Sequence, residues 1–144
     1  MTEPADKPTA TPFMAALAII VLVVIGIGLF NFFESDELSD DQQVARSAVG
    51  QNDALQRESY ADFRTYTCRA QLGNESDILA QQRDSSAKKG ARFVDSITDV
   101  AIDGDRATAK VTYYFDKTSD TKTGVQMTFA REDGAWKVCS PGPR

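Results

Sequence analysis

Val100-Ala101-Ile102-Asp103-Gly104-Asp105-Arg106-Ala107-Thr108-Ala109-Lys110-Val111-Thr112-Tyr113-Tyr114-Phe115 is the stretch that decides the fold. In its second half Ala107, Ala109, Val111, Tyr113 and Phe115 fall on one face. Arg106, Thr108, Lys110, Thr112 and Tyr114 fall on the other, the period-two pattern of a strand buried on one side. Asp103-Gly104 is a two-residue hairpin signal, so Val94, Val100 and Ile102 belong to a preceding antiparallel strand. Ile97 is out of phase with those three, which predicts a bulge near Thr98-Asp99 that bends the sheet. Val125, Met127 and Phe129 repeat the alternation downstream. Trp136 and Val138 do so again beyond a second hairpin signal, Asp133-Gly134, and Ser119 to Lys122 supplies a looser turn. A curved, four-stranded antiparallel meander is expected.

Before Arg92 the period is helical. Ser39-x-x-Gln42 matches a capping box, and Val44, Ala45, Ala48 and Val49 recur at helical spacing behind it. Gly50-Gln51-Asn52-Asp53 reads as the end of that first helix. Leu55, Ser59, Phe63 and Tyr66 mark one face of a second, which ends near Cys68. Gly73-Asn74-Glu75-Ser76 restarts the chain into a third, weakly amphipathic helix that closes at Lys88-Lys89-Gly90. The fold class is therefore α+β, about three helices on a curved four-stranded antiparallel sheet, occupying residues 39–140. Residues 141–144 are a short C-terminal tail.

The N-terminal third is of another kind. From Phe13 to Phe30 every residue is apolar or glycine, and Phe32 and Phe33 extend the run. At about 1.5 Å per residue, positions 13–33 span roughly 31 Å, the thickness of a bilayer's hydrocarbon core. A helix apolar on all sides has no place in the core of so small a domain. A cleaved signal peptide would have a shorter apolar region and a small-x-small site, whereas this run leaves through Leu29-Phe30-Asn31-Phe32-Phe33. The segment is read as a single transmembrane helix behind a disordered tail at 1–12, with an acidic juxtamembrane linker at 34–38. Lys7 precedes the run, and the first cation after it is Arg46. The positive-inside rule then places the N-terminus in the cytoplasm and the domain outside the plasma membrane.

Composition narrows the chemistry. The 144 residues carry a net charge of −5, no histidine and two cysteines. Net negative charge disfavours a nucleic-acid partner. The lack of histidine removes the commonest general base and most zinc ligand sets, so neither a metal nor a cofactor is expected. Two cysteines in an exported domain point to one disulfide, Cys68 to Cys139. Such a bridge would close a loop of about 70 residues and contribute about 4 kcal/mol in the chain-entropy model.

Tyr66-Thr67-Cys68, Val100-Ala101-Ile102-Asp103-Gly104-Asp105 followed by Ala107, and Gly134-Ala135-Trp136-Lys137-Val138-Cys139 resemble segments of the lumazine-binding-like domains of unknown function. Those domains occur on actinobacterial membrane proteins and lipoproteins. More broadly, helices followed by a curved antiparallel meander resemble the cone-shaped nuclear-transport-factor-2-like fold. The resemblance covers Ser39 to Ser140 and implies a fold and an envelope location, but no reaction. Where the lipoproteins have a lipidated cysteine, this chain has an apolar helix.

The leading expectation is a non-enzymatic protein-interaction module at the outer face of the membrane, an accessory subunit of a cell-envelope complex. The alternative is a binder of a small apolar ligand or lipid in the concave face of the cone, with Phe63, Phe93, Tyr113, Phe115, Met127, Phe129 and Trp136 as candidate pocket residues. Each of these seven, taken alone, is better explained as core packing. Arg83, Lys88, Lys89 and Arg92 form a candidate patch for an acidic partner. Asp95 or Asp99 with Tyr66 would imitate the Asp-based sites of enzymes in the wider fold, although nothing in the sequence brings them together. A cysteine test follows: the native protein should take up no thiol-alkylating label until it is reduced, and two labels afterwards. Two labels before reduction would count against both the bridge and export.

Overall fold

The computed structural model describes the backbone of residues 11–33 and 37–142, and side chains for 14–27 and 37–142. The expected tail at 1–12 and acidic linker at 34–38 fall largely outside that description. The chain divides into two units, Met1–Glu37 and Leu38–Arg144. The first holds one helix, α1 (Thr11–Phe33), 23 residues long. Its described side chains, at 14–27, are all exposed. Side chains are described for only positions 14–27 of it, and among the described residues no helix is long and apolar enough to cross a membrane, so the transmembrane helix expected at 13–33 is not shown by the structure.

The second unit runs α2 (Asp40–Gln56), α3 (Tyr60–Thr65), α4 (Glu75–Lys89), then β1 (Arg92–Asp103), β2 (Arg106–Phe115), β3 (Thr123–Glu132) and β4 (Ala135–Val138), with 3-10 turns at Arg69–Gln71 and Asp116–Thr118. The strands form one antiparallel sheet in the order β1-β2-β3-β4. Its register follows from the faces read above. Ala107, Ala109, Val111, Met127, Phe129, Trp136 and Val138 join Val44 and Ala48 of α2 in the core. α2 lies across the sheet, packed mainly on its edge strands β1 and β4. Each large apolar side chain buried there stabilises the fold by about 1.5–3 kcal/mol.

Two bulges interrupt β1 against β2, between Val94 and Ser96 and between Thr98 and Ala101. The second is the predicted one, and Asp99 sits in it at φ 54°. Bulges tighten the local twist, so the sheet curls around the helices. Asp103 pairs with Arg106, so the first hairpin turns on Gly104-Asp105, one residue later than the signal suggested. Gly104 has φ 59°, as a type II′ turn requires of its first central residue. The second hairpin turns on Asp133-Gly134 as expected, with φ 53° and 77° in the type I′ manner.

The first helix begins as predicted: Ser39 Oγ accepts from the Gln42 amide, and Gln42 Oε1 accepts from the Ser39 amide. It does not end at Gly50. α2 continues to Gln56 because Gly50-Gln51-Asn52-Asp53 makes tertiary contacts where its composition suggested a turn. A Cβ at Gly50 would lie 2.6 Å from the Tyr66 ring, so the glycine seats that ring across the helix. Gln51 donates to Thr67 Oγ1 at 2.9 Å, and Asn52 reaches Arg92. Leu55 consequently belongs to α2, and the second helix is shortened to α3, Tyr60–Thr65. The third helix runs as read, capped by Asn74, whose Oδ1 accepts from the Ser76 amide at 2.9 Å.

Cys68 and Cys139 are bridged, with Cα atoms 5.0 Å apart. The chain beside the bridge pairs in parallel with β4: the Cys68 amide donates to the Val138 carbonyl and the Val138 amide to the Tyr66 carbonyl, both at 2.8 Å. Gly50→Ala tests the seating of Tyr66. Alanine gains about 1 kcal/mol of helix propensity, against overpacking costs of about 1–3 kcal/mol when the ring is displaced. A net loss of about 1 kcal/mol is expected in denaturant unfolding, mostly abolished in a Tyr66→Ala background. A Gly50→Ala protein more stable than the wild type would refute it.

Candidate functional site

Beyond the core-facing residues Val44 and Ala48, α2 turns Gln51 and Leu55 toward a cleft of about 530 Å³. Its other walls come from α3, α4, the start of β1 and the segment after β4. That volume is within the range of small-molecule sites. Leu55, Phe63, Ile78 and Pro141 supply apolar surface, and Gln51, Thr67, Gln71, Gln81, Gln82, Ser85 and Ser140 supply amides and hydroxyls. The charged lining residues are Lys88, Lys89, Arg92 and one carboxylate, Asp84.

Four polar lining residues are buried: Gln51, Thr67, Gln82 and Arg92. Burying such groups is costly unless they are hydrogen-bonded, and every buried side-chain polar atom among the described residues has a partner. Gln51 donates to Thr67 as above, and Gln82 Nε2 donates to Ser86 Oγ at 3.0 Å. Arg92 is the central group. Its Nε donates to Asn52 Oδ1 at 2.7 Å, its amide donates to Gln56 Oε1 at 3.2 Å, and its carbonyl accepts from Asn52 Nδ2 at 3.1 Å. One turn of α2 thus fixes the first residue of β1 by main chain and side chain together. Burial pushes the Arg92 guanidinium below its ordinary value, with Tyr113 partly offsetting this. An arginine stays charged under such a shift, so the cleft holds a fixed cation.

The rim is built on the last turn of α4. Lys88 pairs with Asp84 at 2.8 Å, one helical turn back, and both side chains are well exposed. Lys89 stands over the Phe115 ring with its Nζ 5.0 Å from the centroid. The helix end is held in place from the β2–β3 connection, where Lys117 Nζ donates to the Ala87 carbonyl at 2.7 Å and the Asp116 amide to the Ala91 carbonyl at 2.8 Å.

Of the seven pocket candidates, Phe63 alone lines this cleft. Met127, Phe129 and Trp136 are in the closed core with Val44 and Ala48 of α2, which fill the concave face. Trp136 is also fixed at its polar end: its Nε1 donates to Asp40 Oδ1 at 2.9 Å, an oxygen that Arg131 also reaches at 2.7 Å. Tyr113 and Phe115 are buried edge-to-face with centroids 5.7 Å apart. Phe93 points the other way, 44% exposed on the outer face and stacked on Tyr114. The concave face is thus packed core, and the open space lies beside it, among the helices.

The basic patch also divides. Lys88 and Lys89 are at the cleft rim and Arg92 is buried within it, whereas Arg83 is exposed and pairs with Glu58 at 2.8 Å. Sequence reasoning missed Gln51, Leu55, Thr67, Ile78 and Gln82. Buried glutamines in a helix carry the same periodic signature as solvated ones, so no signal marked them. Asp95 is paired with Lys122 at 2.7 Å, Asp99 is in the second bulge, and Tyr66 rests on Gly50. No hydrogen bond joins them among the described residues. Cys68, Cys139 and Glu132 bring ligand-type atoms within 4.8 Å of one another, but both sulfurs are committed to the bridge.

No family model and no curated protein matches the chain. Among solved structures, a Campylobacter jejuni protein with a provisional assignment as a nuclear-transport-factor-2-like transpeptidase is 16% identical. That match covers 65% of this chain and 94% of that one at a TM-score of 0.47. A nuclear-transport-factor-2-like protein of Streptomyces avermitilis, provisionally assigned as a dehydratase, is 16% identical over 69% and 91% of the two chains, with a TM-score of 0.44. A Novosphingobium aromaticivorans protein of the same group, with a cystatin-like fold, is 16% identical over 93% and 86%, also at 0.44. The α+β architecture stands on the strand order and register described above.

Arg92 and Arg83 were read as one patch, and substitution should separate them. Arg92→Met leaves Asn52 Oδ1 without its charged donor, so a loss of about 1–3 kcal/mol is expected in denaturant unfolding. Arg83→Met removes an exposed ion pair and should stay within about 0.5 kcal/mol of the wild type. Equal effects would show that Arg92 is not a structural part of the cleft.

Proposed function

We propose that the chain is a membrane-tethered, extracytoplasmic binding module whose working site is the cleft among α2, α3 and α4. The observation that carries this reading is the combination of buried, oriented polar groups, Gln51, Gln82 and Arg92, with an apolar wall of Leu55, Phe63 and Ile78 in one cavity of small-molecule size. Fixed polar groups beside apolar surface are what orient a ligand and give selectivity. Binding is the proposed activity, because what the cleft presents is oriented polar groups beside apolar surface.

The tether is α1. This proposal rests on the sequence: the apolar run at 13–33 would extend roughly 31 Å at about 1.5 Å per residue, against roughly 30 Å of hydrocarbon. Exposed Ile, Val and Leu on every side of it favour lipid over water. Lys7 and the disulfide support an outward-facing domain. The finer kinship with lumazine-binding-like envelope domains belongs to the same proposal and rests on the motifs around Cys68, Gly104 and Trp136.

A protein partner in an envelope complex is the second reading. It is favoured by Phe93 and Tyr114, stacked at 5.3 Å on the outer face of the sheet. Mild-detergent purification from the native membrane separates the two, with mass spectrometry of whatever is retained. A small molecule held near one per chain is expected. A stoichiometric protein with no small molecule would shift the assignment to the outer face, and a domain that runs alone and empty would count against both.

A further inference from the structure

Resting on the reading of the cleft as a ligand site, we infer that its ligand is an uncharged molecule with N–H or O–H donors at one end of a compact apolar body. The donors are placed against the side-chain carbonyls of Gln51 and Gln82, with the body along Leu55, Phe63 and Ile78.

Unused hydrogen-bonding capacity carries the first half. Gln51 and Gln82 are only 5% and 6% exposed, and both line the cleft. Each amide is anchored by its nitrogen: Gln51 Nε2 donates to Thr67 Oγ1 at 2.9 Å, and Gln82 Nε2 to Ser86 Oγ at 3.0 Å. That leaves the two Oε1 atoms as acceptors, and among the described residues no donor reaches either. Side-chain polar atoms sealed from solvent all have partners among the described residues. An unpartnered oxygen on so buried a residue therefore opens onto the space that the residue lines. Gly142, another lining residue, stands over the Gln51 oxygen, which would be 3.6 Å from a Cβ added there. A ligand that displaces water from such a carbonyl without donating to it loses affinity by about 5- to 150-fold.

Charge and shape carry the second half. The charged lining residues are already engaged within the protein: Lys88 with Asp84, Arg92 with Asn52, and Lys89 over the Phe115 ring. A carboxylate has no donor to offer and would set its own acceptors against the two glutamine oxygens. Leu55, Phe63 and Ile78 come from three different helices and face one space. A fully hydrophilic ligand would leave that wall wet, and a hydrocarbon would desolvate the two carbonyls without compensation. A molecule with one end of each kind satisfies both surfaces. The small apolar ligand expected from the sequence thus becomes one with a donating end.

The test uses the full chain in nanodiscs of neutral phosphatidylcholine, with empty discs as the blank. Titration calorimetry compares 4-phenylbutanamide, whose amide nitrogen donates, with its N,N-dimethyl derivative, which has no donor, and with 4-phenylbutanoate. The amide is expected to bind at least about tenfold more tightly than either. Gln51→Met and Gln82→Met each remove one carbonyl at nearly constant side-chain length. Each should reduce the preference for the amide over its dimethyl derivative several-fold, whereas a variant that merely loosened the cleft would weaken both probes and leave their ratio. Should Gln51→Met fail to fold, Gln82→Met decides the matter. An unchanged ratio in the variants that fold would overturn the assignment to the glutamines. A dimethyl derivative or a carboxylate that binds as well as the amide would overturn the donor inference and leave the cleft as a ligand site. Binding of none of the three would overturn both.

Discussion

The whole second unit depends on one splice, where the chain leaving α3 is joined to the last strand. β4 has four residues and a neighbour, β3, on one side only. Left alone it would be a frayed edge. Tyr66, Thr67 and Cys68 supply its other side through two main-chain bonds and a parallel bridge, and the Cys68–Cys139 disulfide makes the arrangement permanent. Thr67 and Ser140, on either strand of the splice, then become fixed walls of the cleft. The contact that secures the sheet edge also shapes the site.

The second organising element is α2, which serves two neighbours at once. Its Val44 and Ala48 fill the concavity of the sheet, while Gln51, Asn52 and Leu55, one or two turns on, belong to the cleft and its support. Site precision therefore comes from the same helix that carries the core, where positions are least free to drift. α4, by contrast, buries only Gln82 and is held at its C-terminal end through Lys117 and Asp116. The cleft thus has one rigid wall and one lightly supported wall.

What could be read from the sequence was what depends on neighbours two to four residues away. The alternation of β2 put Ala107, Ala109 and Val111 on the buried face, and the phase slip at Ile97 located the second bulge to within a residue. The capping box at Ser39 and the Asp133-Gly134 turn were equally local. Gly50-Gln51-Asn52-Asp53 was misread because its meaning lies in Tyr66, Thr67 and Arg92, distant in sequence. The site was largely hidden for the same reason. Large aromatic residues suggested a pocket on the concave face, but whether such residues line a space or fill it depends on how closely a helix approaches. Here Val44 and Ala48 of α2 fill that face, a contact between residues distant in sequence.

The bridge between residues 68 and 139 has a bearing on durability. Most of the exposed connections of the domain, including the turn from Asp116 to Lys122, lie inside the loop it closes. A protease that severs the backbone there would release nothing. Both pieces would stay covalently joined, with the sheet still registered across the cut and the splice intact. Such a domain tolerates a nick as a wound and not as a loss: the α4 rim leans on that turn through Lys117, but the cleft walls built on α2 and the splice would outlast the continuity of the chain.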